Sequence, residues 1–533
     1  MRSFRPAAIV QLLAMACLGA LLGAVWATYQ ALAIDDLGQG PLTLLLRNGR
    51  LPVNQGAAAM LAVGLLGWGA RRLVARRRGW EGGGNRPAQG LASLCLLAAG
   101  GITLATLNVG PYLAPRPNVV LIVVDTLRAD HLGIYGYQRD TSPNLDALAR
   151  ESNVYRNAIS TAPWTSPAVG SMLTGRYPQQ IGITGRPIVL DEAIRRLPEV
   201  LQAWGYETAG IVSHLYVGQK YNYQQGFAFW DESQAKGHTH VSSHEVTDRA
   251  IEFLRRSGES RFFLFLHYFD PHLDYMQHEK YDYSAGYTGP VRSENDNTHE
   301  LRKMAWSGRL KRRDIRYLRA LYDSEISYTD EHIGRFLDEL KRRGLYDDAL
   351  IIVTSDHGES FMDRPDRWIG HTIGVYGEYL NVPLILKLPG QREHRTIEEW
   401  VSIIDIPSTI LSLTGPAKPR GMSLEGKPLT RPRSGRALFA QTRRTFSKDS
   451  VVLNGWKLIH SVKAQEQELF DLTDDPGERR DRLAAEPQVA TALSGLLREW
   501  RERMDAATTK VRAEEPAYTA EEIDMLRALG YTH

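Results

Sequence analysis

Apolar and polar positions divide the chain into two regions with different patterns. Up to Pro115 the pattern is one of long charge-free stretches: Pro6 to Ile34, Leu51 to Ala70 and Pro87 to Pro115. A helix crosses a bilayer with ~20 apolar residues. The three runs therefore predict about three transmembrane helices, near 7–34, 51–70 and 88–113. For the first run the alternative is a cleaved leader ending at Ala31-Leu32-Ala33, although the run is longer than the ~7–15 residues of a leader's apolar core. After Pro115 the apolar runs shorten. Asn118 to Val124 (NVVLIVV) is continuous and rich in β-branched residues, the pattern of a strand buried on both faces. Thr208 to Val212, Phe262 to Leu266, Leu350 to Thr354 and Pro383 to Leu388 are further strand-like runs. Helical periodicity lies between them, longest from about Arg313 to Arg343. This alternation predicts an α/β fold, a mainly parallel sheet sandwiched by helices. Met276 to Leu310 is polar with interspersed Gly and aromatic residues and reads as an insertion loop.

Charge placement gives the membrane region an orientation. Arg2 and Arg5 precede the first run. Arg71, Arg72, Arg76, Arg77, Arg78 and Arg86, against Glu81 alone, separate the second from the third. The intervening loop balances Asp35 and Asp36 with Arg47 and Arg50. The positive-inside rule then puts everything after Pro115 outside. The expectation is a multi-pass cell-membrane protein with its catalytic domain on the periplasmic or extracellular side. No Asp, Glu, Lys or Arg falls within the runs, which favours an anchor over a transporter. A net charge of +3 with 23% charged residues gives no basis for nucleic-acid binding. The cysteines, Cys17 and Cys95, both lie in apolar runs. After Pro115 there is thus no thiol for a disulfide, a zinc-thiolate site or a nucleophile. Nothing in the sequence fixes an oligomeric state.

Candidate chemistry collects at strand ends, where ligands bind in open parallel sheets. The first strand ends at Asp125, and the run at Leu350 ends in Ser355-Asp356-His357-Gly358-Glu359. Two carboxylates and an imidazole can share a divalent cation, and mixed oxygen and nitrogen donors suit zinc or manganese better than calcium or magnesium. Taken singly, each can equally be a polar turn. The stretch Ala162-Pro163-Trp164-Thr165-Ser166-Pro167, running on to Gly175-Arg176, reads as a loop entering a short helix. Thr165 or Ser166 is expected to cap it, with Pro167 in its first turn and Gly175 at its end. A hydroxyl there is either a cap alone or a nucleophile facing a bound anion.

In order and spacing these motifs resemble the sulfatase family of the alkaline-phosphatase superfamily. The resemblance starts at Pro117-Asn118 and Val124-Asp125-Thr126-Leu127-Arg128-Ala129-Asp130, and continues through Ser142-Pro143-Asn144 and the Thr165 stretch. It runs on through Asp270-Pro271-His272, Thr354-Ser355-Asp356-His357-Gly358-Glu359, Val382-Pro383-Leu384 and Glu468-Leu469-Phe470-Asp471 to Leu529-Gly530-Tyr531. It implies an alkaline-phosphatase-like catalytic domain over 116–430 and a small α+β subdomain over 431–533, after a membrane anchor over 1–115. It also implies one divalent cation held by Asp125, Asp356 and His357, with the nucleophile Thr165 as a further ligand. His272 and His371 are implied near the bound anion, and His214 near a position that can face it. His267 is expected to point into the sheet or to support His272.

The departures from the family pattern carry the function. Sulfatases proper have Cys or Ser, any residue, Pro, any residue, Arg, and convert the first residue to formylglycine. Here Thr165 takes that place and Val169 replaces the arginine. Oxidising threonine gives a ketone, so no formylglycine is expected. Thr126 stands where many sulfatases have a second aspartate, and His357 where calcium enzymes tend to have Asn. These changes resemble the threonine-nucleophile branch, which includes phosphoethanolamine and phosphoglycerol transferases. A threonyl ester is resolved by attack at its central atom, easier at phosphorus than at sulfur. The expected activity is metal-dependent hydrolysis or transfer of phosphate esters through a Thr165 intermediate, with His272 or His371 protonating the leaving alcohol. The expected substrate is a lipid or envelope-glycan ester presented at the membrane. A sulfuric ester hydrolase and a catalytically silent anion-binding membrane protein are the alternatives.

Overall fold

Val119 to Val124 is buried along its whole length, and its two faces look in opposite directions. Val119, Leu121 and Val123 join one apolar cluster, and Val120, Ile122 and Val124 join another. A strand with period-2 side chains and both faces apolar must sit inside a sheet covered on both sides. In the computed structural model it does. Residues 116–523 are described, apart from 236–241, 259, 285, 293–297, 416–420, 432–433, 509–513 and 521. The three runs read as membrane spans lie outside them. Among the described residues no helix is long and apolar enough to cross a membrane.

The strands are β1 (Val119–Val124), β2 (Asn153–Tyr155), β3 (Ala158–Ile159), β4 (Glu207–Val212), β5 (Phe229–Asp231), β6 (Phe262–Tyr268), β7 (Leu350–Ser355), β8 (Ser360–Phe361), β9 (Ile369–Gly370), β10 (Leu384–Lys387), β11 (Arg395–Ile397), β12 (Val401–Ser402), β13 (Leu438–Thr442), β14 (Lys448–Leu453), β15 (Trp456–Ser461) and β16 (Glu466–Asp471). Eight form the central sheet in the order β11-β2-β10-β7-β1-β6-β4-β5. Its pairs are parallel except those of β10, which runs antiparallel to β2 and β7. A second, four-stranded antiparallel sheet has the order β13-β14-β15-β16. The fold is α/β, with a mixed, mainly parallel sheet.

The helices are α1 (Pro143–Ala149), α2 (Thr165–Thr174), α3 (Leu197–Ala203), α4 (Ser243–Arg256), α5 (Thr298–Trp306), α6 (Arg312–Arg342), α7 (Gly377–Leu380), α8 (Asp405–Thr414) and α9 (Pro487–Thr508). Met172 and Leu173 of α2, Leu201 of α3 and Ile406 and Ile410 of α8 cover one face of the central sheet. Leu145 of α1, Phe253 of α4 and Leu318, Leu321 and Phe336 of α6 cover the other. Each such side chain contributes ~1.5–3 kcal/mol on burial. The segment expected as an insertion loop from Met276 to Leu310 carries α5, a correction to the loop reading: Leu301 and Met304 pack against the second cluster and pin it as a helix. Ser142 does not cap α1 as its position suggests. The N–H groups of Asn144 and Leu145 donate instead to the Asp330 carboxylate of α6, at 2.9 and 2.8 Å.

Candidate active site

Strand register brings the first ligands together. β1 and β7 are parallel neighbours with Val124 opposite Ser355, so Asp125 and Asp356 leave the sheet side by side. His357 follows. All three are fully buried. Thr126 then turns the chain with φ +54°, a left-handed conformation that costs a non-glycine residue ~1–3 kcal/mol. Three bonds hold it there. Its N–H donates to Asp356 Oδ1 at 3.2 Å, its Oγ1 donates to Pro271 O at 3.0 Å, and its carbonyl accepts from the Tyr322 hydroxyl of α6 at 2.7 Å.

The structure corrects the expected cap on α2. Trp164 is the N-cap residue and Thr165 the first helical one, with no capping hydrogen bond from either side chain. Gly175 ends the helix as expected, with φ +69°, and a Cβ there would strike the Leu424 side chain. The Thr165 hydroxyl is therefore released from capping. Its Oγ1 lies 3.4 Å from Asp125 Oδ2 and 3.3 Å from His357 Nε2. Ser166 faces the Tyr223 hydroxyl instead.

These atoms fit a cation. His357 Nδ1–H donates to Gly358 O at 3.0 Å, which leaves the Nε2 lone pair facing Asp125 Oδ1 at 3.5 Å and Asp356 Oδ2 at 3.4 Å. Those two carboxylate oxygens are buried without a hydrogen-bond partner in the protein. Asp356 Oδ1, in contrast, accepts from the N–H groups of Thr126 and His357. One ligand atom from each residue falls in a set spanning at most 4.8 Å. Burial, then the charges of Asp356 and Glu359, push the Asp125 carboxyl well above the usual carboxylate range. A positive ion among these donors relieves both effects.

Histidines surround the centre. His214 Nδ1 accepts the Tyr216 N–H at 3.0 Å, so its Nε2 carries the proton, 3.8 Å from Asp125 Oδ2. His272 Nδ1 donates to Leu273 O at 3.1 Å. Its ring centroid is 4.8 Å from that of His371, which is 4.6 Å from that of His357. Burial, then the charges of His357 and His272, hold the His371 imidazole well below its ordinary value. Every residue named from the sequence thus converges here: Asp125, Thr165, Asp356 and His357 at the centre, and His214, His272 and His371 around it.

Two further residues belong to the site. Glu359 Oε1 accepts from His371 Nδ1 at 3.0 Å, and Oε2 accepts the Leu273 N–H at 3.1 Å. Burial raises its carboxyl to about 8. It lay within the quoted motif, but only the hairpin of β8 with β9 brings it beside His371. His267, expected to point into the sheet or to support His272, is fully buried in β6 beside the centre. It pairs across from Val123 and Val212, and its Nε2 lies 3.9 Å from Asp125 Oδ2. Burial pushes its imidazole down to about 4, so it stays neutral.

A family model described as "Sulfatase" matches residues 117–416. The multifunctional alkaline phosphatase superfamily protein PehA of Trinickia caryophylli is 31% identical over 405 residues, covering 59% of this chain and 78% of that protein. An ulvan-active sulfatase of Formosa agariphila is 26% identical over 342 residues, covering 59% of this chain and 64% of that enzyme. Among solved structures, the phosphonate monoester hydrolase of Agrobacterium radiobacter aligns with a TM-score of 0.57 and 22% identity, over 73% of this chain and 96% of that one. At that identity it speaks for the fold alone.

Proposed function

The chain belongs to the sulfatase family of the alkaline-phosphatase superfamily, and from that premise we propose that it cleaves phosphate esters by attack of Thr165. The observation that carries this is the Thr165 hydroxyl, drawn off its helix cap and set between Asp125 Oδ2 and His357 Nε2. A divalent cation held by Asp125, Asp356, His357 and Thr165 supplies Lewis acidity and neutralises charge at this point. The donor set favours zinc or manganese over calcium. Formylglycine plays no part.

The chain's own residues account for the rest. The phosphoryl group sits at the N-terminus of α2, where backbone N–H groups face it. Thr165 Oγ attacks phosphorus in line, its proton passing toward Asp125 Oδ2, and the bond to the leaving alcohol breaks. His371 or His272 gives the departing oxygen its proton. The negative charge of a bound ester opposes the burial that holds the His371 imidazole below its ordinary value, so that the proton given to the leaving oxygen is the one taken up at Nε2 when the ester binds. Water, or an acceptor alcohol, then attacks the phosphothreonine and restores the Thr165 hydroxyl. His214 Nε2–H is placed to bond a phosphoryl oxygen.

The apolar runs before Pro115 support the further reading that this chemistry is anchored at the outer face of a cell membrane and meets a lipid or envelope-glycan ester there. Hydrolysis of sulfuric esters by the same site is the second reading, which the sulfatase relatives favour. One experiment separates them. The purified protein is offered aryl phosphate monoesters, diesters and sulfates with manganese, zinc or calcium, and its mass is followed. Phosphoester turnover is expected with manganese or zinc, with one phosphoryl group trapped on Thr165. Thr165→Ala is expected to lower kcat by about a thousandfold or more. Full turnover by that variant sinks the proposal.

A further inference from the structure

The proposed reaction leaves α5 without a role. Leu301 and Met304 pack this helix against the second apolar cluster, and Ala305 and Leu310 are buried in that cluster. Arg302 Nε–H donates to Ile369 O at 3.0 Å, which ties α5 to the hairpin of β8 and β9. Gly308, with φ +71°, then turns the chain toward α6. These attachments decide which side chains remain outside. Lys303 and Trp306 of α5, Arg309 and Lys311 of the turn, and Arg312, Arg313 and Arg316 of α6 are all exposed.

The charge on this surface is one-sided. Glu300 meets two of its cations, Lys303 at 3.6 Å and Arg309 at 3.2 Å, and the buried Asp314 meets Arg313 at 3.7 Å. Among the described residues no carboxylate lies within ion-pair distance of Lys311, Arg312 or Arg316. The whole chain carries a net charge of only +3, so the excess is local. A basic run by itself is an ordinary solvated surface. Trp306 sets this one apart. It is 58% exposed, above every other large apolar side chain among the described residues, and basic residues flank it on both sides in the chain. Its ring centroid lies 5.5 Å from that of Trp368, whose Nε1–H donates to His371 O at 3.0 Å. An indole in water among lysines and arginines is the composition of an element that lies on a bilayer. The ring gains at the boundary between headgroups and chains, and the cations gain from anionic headgroups.

We propose that the surface from Lys303 to Arg316 docks on a lipid bilayer bearing anionic phospholipid headgroups, with Trp306 in the headgroup boundary and Lys311, Arg312 and Arg316 over the phosphates. This rests on the reading of the apolar runs before Pro115 as a membrane anchor, which keeps a bilayer within reach. A soluble polyanion would satisfy the same cations, and the apolar runs of the same chain are what favour the bilayer. Docking through Trp306 sets the lipid surface beside Trp368 and the hairpin that leads to His371, which suits an ester presented by lipid.

The test uses the full-length chain with Cys17→Ala and Cys95→Ala, so that Ser307→Cys, beside Trp306, carries the only thiol. A polarity-sensitive fluorophore on that thiol reports on vesicles of phosphatidylcholine, alone or mixed with phosphatidylglycerol, into which the protein is reconstituted. In the mixed vesicles the emission is expected to shift to the blue, to be quenched by brominated lipid, and to return as salt is raised. In phosphatidylcholine alone it is expected to stay that of a label in water. Each basic residue near an anionic surface contributes about fivefold to docking. Lys311→Gln, Arg312→Gln and Arg316→Gln together are therefore expected to weaken docking about a hundredfold, and Trp306→Ser to weaken it further. Equal emission in the two kinds of vesicle, or a shift that survives the triple variant, overturns the proposal. So does a label that responds to added heparin and not to phosphatidylglycerol, which would make the patch a polyanion site. An error about the anchor shows separately, as protein that fails to float with phosphatidylcholine vesicles. The same label then reads binding of the unanchored protein to the two kinds of vesicle, and equal binding overturns the proposal.

Discussion

Asp125 and Asp356 are fully buried carboxylates that meet at one imidazole. Without a counter-ion their mutual repulsion and lost hydration oppose the folded state. Chelation is therefore expected to lower the Tm of the wild type, and manganese or zinc to restore it. Asp356→Asn removes one charge and one ligand together. Its apo form is expected to melt no lower than the apo wild type, and its Tm to respond little to metal. Differential scanning fluorimetry with and without chelator checks both, and an apo variant well below the apo wild type would refute the repulsion argument. Glu359 acts one shell out. It orients His371 through Nδ1 while its other oxygen holds the Leu273 N–H next to His272. Glu359→Ala is expected to lower kcat about 10- to 100-fold while KM and metal content change little, in keeping with groups that orient active-site imidazoles. A variant that has lost its metal instead would assign Glu359 to the cation.

Elements differ in how plainly the sequence declares them, and the reasons are physical. β1 and β7 are buried on both faces, so their uninterrupted apolar runs identify them and place Asp125 and Asp356 at their ends. The direction of β10 leaves no such trace, because Leu384 to Lys387 is as apolar in an antiparallel pairing as in a parallel one. The face that His267 takes is hidden for a related reason. In Phe262–Tyr268 every position is buried, so composition does not separate the faces. Only register with Val123 shows the imidazole on the α2 side. Glu359 depends on a hairpin whose strands are two residues each, too short to recognise. The start of α1 carries a further trade-off. Asp330 takes the N–H groups of Asn144 and Leu145, yet burial pushes its carboxyl up to about 7, above its ordinary 3.8. A raised carboxyl favours the folded state fully below pH ~4 and loses that contribution as pH rises through about 7. Asp330→Asn mimics the protonated form. Its Tm relative to wild type is expected to rise between pH 5 and pH 8, and a difference that stays flat or falls would mean that the helix N–H groups outweigh desolvation.

At the scale of the molecule, the second sheet completes the catalytic centre as well as covering apolar surface. β13 supplies the bonds to Thr161 and, through Thr442, to Thr372. α9 lies across the outer face of that sheet, where Leu493, Leu497, Trp500 and Met504 meet Val451, Leu458 and Leu469. Trp500 stacks on Phe439 of β13 with ring centroids 5.0 Å apart and meets Tyr177 edge-on at 5.4 Å. Tyr177 stands just beyond the end of α2, so one indole joins the terminal helix, the second sheet and the segment leaving α2. A buried ion pair adds to the link: Glu478 binds Lys457 of β15 at 2.7 Å and Arg364, which also grips Glu378 of α7. Contacts of this kind are expected to make the second sheet and the central sheet unfold as one cooperative unit. Trp500→Ala leaves a cavity at the junction and is expected to cost about 3–5 kcal/mol. Calorimetry is expected to show a single transition moved to lower temperature. Kcat measured below that transition should fall too, because the supports of α2 and of the His371 loop loosen together. Two resolved transitions, with catalysis lost only at the second, would instead make the second sheet a separate unit that the site does not need.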